Sequence, residues 1–223
     1  MENRELITDI IFILDRSGSM KGLEKETIEG FNSFLNDQRE TEGLVYITTV
    51  MFNEEIDVVH DRKPIREVKE ITRRDYSAYG RTALLDAIGE TIKEADRKSE
   101  IWKSSAPDRT ICVIITDGEE NASTKWKYRR IKKLVSKKNE SHWKFIFLGA
   151  NMDAIEAASR IGIKRYGVKT YHSDEEGTLL NYKAVGGTLK RLCCLVPSEF
   201  DEYEEEMEED LEEIETYRLS KTK

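Results

Sequence analysis

The amino-acid sequence predicts an α/β fold of the doubly wound kind. It should contain a mostly parallel six-stranded sheet in the order 3-2-1-4-5-6, with one antiparallel edge strand and helices on both faces. Two observations predict it. Near-continuous apolar runs at Ile10 to Leu14, Thr110 to Thr116 and Lys144 to Gly149 lack the polar alternation of a half-exposed strand, so they read as strands covered on both sides. Segments of helical period lie between them, as parallel strands joined by right-handed crossovers require.

Taken in order, Ile10 to Leu14 is the first strand. Leu23 to Gln38 follows as a helix with Ile28, Phe31, Phe34 and Leu35 on one face. Val45 to Phe52 and Ile56 to His60 are strands separated only by Asn53-Glu54-Glu55, which predicts a hairpin and hence the antiparallel edge. Residues 61–81 are polar and irregular. Ala83 to Arg97 is a helix that buries Leu84, Leu85, Ile88 and Ile92, and Thr110 to Thr116 is the next strand. Lys125 to Lys138 is a strongly basic helix with Ile131, Leu134 and Val135 turned inward. Lys144 to Gly149 is a strand, Ala154 to Arg160 a short helix and Ile163 to Val168 a short last strand. Thr178 to Leu195 closes the fold as a helix, weakened at Gly186-Gly187 by about 1 kcal/mol per glycine relative to alanine.

Composition narrows the function. With 223 residues, 38% hydrophobic and 36% charged, the chain can build a packed core and bury about 70% of its unfolded surface. The net charge of −8 is unevenly spread: residues 199–223 carry 12 acidic and 3 basic groups, net −9, which leaves residues 1–198 at +1. A body over residues 1–197 and an acidic tail over 198–223 are therefore expected, and nucleic acid is not expected as a partner. The sequence opens on Met-Glu-Asn-Arg-Glu-Leu with no apolar leader. No apolar run approaches the ~20 residues that span a bilayer. The expectation is a cytoplasmic protein with no membrane partner. Cys112, Cys193 and Cys194 suit neither a disulfide framework nor a zinc site, and read as reduced packing residues.

In the predicted strand order, the first and fourth strands are neighbours at the reversal where such sheets form their ligand crevice. Asp15 stands just past the first and Asp117 just past the fourth. Ser17 and Ser19 follow Asp15 at alternate positions, with Gly18 letting the loop curl, and Thr82 opens the helix before the fourth strand. Two carboxylates and three hydroxyls are hard oxygen donors suited to Mg2+, with Mn2+ or Ca2+ as substitutes in vitro. Asp15-x-Ser17-x-Ser19, Thr82 within Gly80-x-Thr82-x-Leu84, and Thr116-Asp117-Gly118 resemble the metal-ion-dependent adhesion site of von Willebrand factor type A domains, a likeness that covers about residues 6–195. The resemblance implies that Ser17, Ser19 and Thr82 touch the metal, that Asp15 and Asp117 act largely through water, and that a partner protein's Glu or Asp completes the shell. It implies a non-enzymatic binding module serving as scaffold or regulator.

Simpler roles exist for each residue. Thr82 could cap its helix, Ser17 and Ser19 could be turn or cap residues, and Asp117-Gly118 could be an ordinary turn. Glu119 and Glu120 either tune the site or are solvated. The alternative function is a metal-dependent phosphatase-like enzyme using Asp15, although the second acid such enzymes want two residues on is here Ser17. No nucleophile elbow or triad involves His60, His142 or His172, and no glycine fingerprint for a dinucleotide follows the first strand.

In the tail, Phe200, Tyr203, Met207, Leu211, Ile214 and Tyr217 recur at steps of three and four, giving one apolar stripe on an acidic helix. Like charges at i,i+4 disfavour such a helix alone, so it should dock. Three places are open to it: its own domain, with the basic helix as charge complement, a second protomer, or another protein. A tail carboxylate could also reach the metal.

Overall fold

A computed structural model describes residues 5–41 and 43–221. Six strands form one sheet in the order β3-β2-β1-β4-β5-β6. They are β1 (Ile7–Asp15), β2 (Leu44–Phe52), β3 (Ile56–Pro64), β4 (Arg109–Thr116), β5 (Trp143–Gly149) and β6 (Val168–Thr170). Only the β2–β3 pair is antiparallel. The expected order and the single antiparallel edge are both present.

Alternation along β1 divides the core. Ile10, Phe12 and Leu14 face one cluster, which includes Phe31, Phe34 and Leu35 of α1 (Glu24–Gln38) and Val185 and Leu189 of α5 (Glu175–Cys194). Ile11 and Ile13 face the other. That cluster holds Ile88 of α2 (Leu84–Trp102), Ile131 of α3 (Tyr128–Asn139) and Ala158 of α4 (Ala154–Ile161). Period-two side-chain direction on a sheet buried twice is what makes the apolar runs continuous.

Several boundaries differ from expectation. The last strand is Val168–Thr170 rather than Ile163 to Val168, because Arg165–Gly167 form a 3-10 turn first. The basic helix begins at Tyr128, since the backbone N–H groups of Thr124, Lys125 and Trp126 are committed to the Asp86 carboxylate. β3 runs on to Pro64, inside the stretch expected to be irregular. Gly186 does not break α5: its carbonyl accepts from the Gln38 side chain of α1 at 2.8 Å. At the other end of α5, Arg109 of β4 donates to the carbonyls of Leu192, Cys193 and Leu195 and so satisfies a helix terminus. Cys112 and Cys193 are buried, but Cys194 is exposed, so only two of the three cysteines pack.

The tail forms three short helices instead of one: α6 (Pro197–Glu202), α7 (Glu205–Asp210) and α8 (Glu212–Lys221). Bends at Tyr203 and Leu211 let Phe200, Met207, Leu211 and Ile214 all reach the core cluster on the α1/α5 side. The tail therefore docks on its own domain, but not on the basic helix. Its charge partners are Lys164 with Glu204 at 2.7 Å, Lys169 with Glu212 at 2.5 Å, and Arg191 with Asp210. Helix α3 buries Ile131 and Val135 in the core cluster on the other face of the sheet. Truncating the buried Leu211 to alanine is expected to cost about 2–5 kcal/mol in urea unfolding. Deleting residues 199–223 is expected to lower the melting temperature, and an unchanged value would mean the docked stripe contributes nothing.

Candidate metal centre

β1 and β4 lie side by side and in register, Leu14 against Ile115, so their carboxyl ends deliver Asp15 and Asp117 to the same edge of the sheet. Asp15 is buried, 1% exposed. One of its carboxylate oxygens accepts from the backbone N–H of Ser17 at 2.7 Å, and the other from the Thr116 hydroxyl at 2.5 Å. The hydroxyls of Ser17 and Ser19 are 3.0 Å apart. A Cβ added to Gly118 would lie 2.9 Å from the Ser19 hydroxyl, 3.0 Å from that of Thr82 and 3.7 Å from that of Ser17. The three hydroxyls thus converge over Gly118, beside Asp117, and glycine keeps that space open. All five residues expected at the site are brought together.

Loop-to-loop hydrogen bonds fix this arrangement. The Gly18 N–H donates to the Gly80 carbonyl and the Tyr79 N–H to the Arg16 carbonyl, both at 2.9 Å. Gly80 adopts φ +78°, a left-handed conformation that a residue with a Cβ resists. The Asn53 amide donates to the Tyr79 carbonyl at 3.1 Å, and the Ala83 N–H to the Asn53 carbonyl at 2.9 Å. Thr82 is held through its backbone, its N–H donating to the Asn121 side chain and its carbonyl accepting from Asn121 and Ala122. It does not cap α2. That helix begins after Ala83 with no side-chain cap of its own, and its first N–H groups, of Leu85 and Asp86, donate to Glu120 and Ser123. The cap is supplied from another loop, so the Thr82 hydroxyl is not used for it. Glu120 is thus half-buried and engaged in the cap, while Glu119 is exposed.

Sequence reasoning missed three supports. The Thr116 hydroxyl orients Asp15, the buried Tyr76 hydroxyl donates to the Asp15 carbonyl at 2.5 Å, and Asn53 ties two loops together. A lone tyrosine in a polar stretch and an asparagine in a hairpin turn are weak signals, because their partners are distant in sequence.

The electrostatics are those of a site short of positive charge. Burial raises the Asp15 pKa to about 6, against the hydrogen bonds from Thr116 and Ser17, and the nearby Asp117 adds to the rise. Burial also raises Asp117, with the Ser19 hydroxyl opposing. Both oxygens of Asp117 are buried with no hydrogen-bond partner of ordinary geometry. Arg16, next to Asp15, turns its guanidinium to Asp57 instead. Unpaired buried carboxylate oxygens demand an explanation, and a bound cation is among the few available. The residues present fit one: every donor is oxygen, as Mg2+ prefers. Among the described residues no three acidic, histidine or cysteine side chains gather into a cage, so a cation here would rely on hydroxyls.

Residues 9–181 match the von Willebrand factor type A domain family, and the chain belongs to it. No curated protein matches the chain in sequence. Among solved structures it is similar to proximal thread matrix protein 1 from the mussel byssus, with a TM-score of 0.62 and 16% identity over 85% of this chain and 47% of that one. A second structure of the mussel protein, described as having a zinc-occupied metal-ion-dependent adhesion motif, gives a TM-score of 0.55 and 18% identity over 85% and 46%. The ArnB paralog VWA2 from Sulfolobus acidocaldarius gives 0.55 and 16% over 81% and 46%. These likenesses show the shared fold, and this chain spans less than half the length of each of those structures.

The raised Asp15 value has a consequence for stability. A carboxyl whose folded pKa lies above its unfolded one favours folding only while protonated. Without a cation, its cost is absent below the unfolded value of 3.8 and is complete once pH has risen past about 6, amounting to about 3 kcal/mol. In urea unfolding without divalent cation, Asp15→Asn is therefore expected to become progressively more stable than the wild type between pH 4 and pH 7. A difference that does not change with pH would show that Asp15 does not bear this burden.

Proposed function

We propose that this domain is a non-enzymatic protein-binding module that holds Mg2+ at Asp15, Ser17, Ser19, Thr82 and Asp117 and recognises an acidic residue of a partner protein. The observation that carries this reading is the Asp117 carboxylate, buried with no hydrogen bond of ordinary geometry beside three convergent hydroxyls. Ser17, Ser19 and Thr82 would supply neutral oxygens, and Asp15 and Asp117 the negative charge. A bound Mg2+ retains positive charge when most of its donors are neutral, and that charge attracts an incoming carboxylate. The zinc recorded in the mussel protein's motif supports a divalent cation at the corresponding place in this family. Beside Gly118 and Glu119 a cavity of ≈340 Å³ offers a partner room for a neighbouring side chain.

The hydrogen bonds of Asp15 favour binding over phosphoryl transfer. Both of its oxygens are occupied by Ser17 and Thr116, which suits an orienting carboxylate more than an attacking one. The module would act as a scaffold or regulator.

An affinity capture in Mg2+, in EDTA, and with Asp15→Ala in Mg2+ tests the reading. A protein retained only by the wild type in Mg2+ is the expected result, and equal retention in all three would move the binding surface elsewhere. Gly118→Ala provides a second check. Its methyl group would enter the space between Ser19 and Thr82, so the variant should fold while losing most of the rise in melting temperature that Mg2+ gives the wild type.

A further inference from the structure

The docked tail leaves two strongly charged surfaces without partners. On α3, Arg129, Lys132, Lys133 and Lys137 are exposed and lie at helical spacings of three and four, which makes them one stripe about 12 Å long. Among the described residues none of the four has an ion pair, and the neighbouring Lys138 is the one bound to Asp96. On the tail, Glu205, Glu206, Glu208 and Glu209 are exposed on α7 and likewise have no ion pair among the described residues. The tail's pairs with the body use Asp201, Glu204, Asp210, Glu212 and Lys221 instead.

These surfaces do not pair within the molecule. Ile131 and Val135 anchor α3 on the α2/α4 side of the sheet, and Met207 anchors α7 on the α1/α5 side. Between two molecules nothing separates them. We propose that copies of this chain associate head to tail, the α7 carboxylates of one copy docking on the α3 stripe of the next. The occupant follows from charge complementarity: the basic stripe needs a compact anionic surface, and every copy carries one, with the tail at net −9 and the rest of the chain at +1. Because the two surfaces differ and lie on opposite faces, the contact is heterologous and propagates beyond a dimer, into a ring or an open chain. It is made of solvent-exposed charges, so it is weak and strongly weakened by salt. It is independent of the metal centre and of the function proposed for it.

Sedimentation equilibrium of the full chain tests this. At 50 mM NaCl the average mass should rise with concentration beyond that of a dimer, and the apparent dissociation constant should weaken at least tenfold in 500 mM NaCl while EDTA leaves it unchanged. Reversing one surface, by Arg129→Glu, Lys133→Glu and Lys137→Glu, or by Glu205→Lys, Glu208→Lys and Glu209→Lys, should give a monomer with a wild-type circular dichroism spectrum. Mixing the two reversed variants should restore association, since each then offers the surface the other lacks. A wild type that stays monomeric at 50 mM NaCl overturns the proposal, as does association that survives either reversal or a mixture that stays monomeric. Binding of the α3 stripe to heparin or RNA by a wild type that is monomeric would assign the stripe to a polyanion instead, and would also overturn it.

Discussion

The pairing of β1 with β4 is the contact on which the rest of the molecule depends. It is the point where strand order reverses, so the loops after the two strands diverge and leave a crevice between them. The same register that stacks Leu14 against Ile115 sets Asp15 within 2.5 Å of the Thr116 hydroxyl and brings Asp117 alongside. A shift of one residue would turn the side chains of β1 to the opposite faces, and both core clusters would lose their matching halves. The hydrophobic pattern that fixes the register therefore also fixes the carboxylates.

Two buried carboxylates at one point work against the stability of the fold, and the surrounding loops show how the arrangement is held. Backbone bonds among the Asp15–Ser19, Asn53 and Tyr79–Ala83 segments leave the hydroxyls little freedom. Glu120 and Ser123 supply the helix cap that Thr82 would otherwise be suited to give. Asp86 gathers the backbone N–H groups of Thr124, Lys125 and Trp126, and although burial alone would raise its pKa, those bonds hold it below the ordinary value. The helix cap comes from groups outside the site, so the Thr82 hydroxyl at its centre is not used for it. This is the preorganisation that a binding site built from neutral hydroxyls needs.

The tail illustrates a different balance. Its apolar stripe is buried as its spacing implies, yet its helix is broken twice, and its segments pack on α5, β6 and the turn at Arg165–Gly167. Docking satisfies the apolar side chains and a few carboxylates, and leaves the outer glutamates facing solvent. The charge asymmetry of the chain is thereby converted into two separated surfaces of opposite sign.

By itself the sequence determined the sheet order, the antiparallel edge, the identity of the residues at the crevice and the apolar stripe of the tail. All of these rest on local periodicity, or on the rule that places chemistry at the carboxyl ends of parallel strands. Only the tertiary structure decided where the tail docks, which loop caps α2, that β6 begins at Val168, and that Thr116, Tyr76 and Asn53 support the centre. These depend on contacts between residues far apart in the chain, such as Leu85 with Glu120 and Asp15 with Tyr76. Hydrogen bonds of that kind leave no period in the sequence. The basic helix shows the limit most plainly: its charge was legible from the start, but which face of the sheet it occupies, and that the tail buries its apolar stripe on the other, was fixed only by how the crossovers pack.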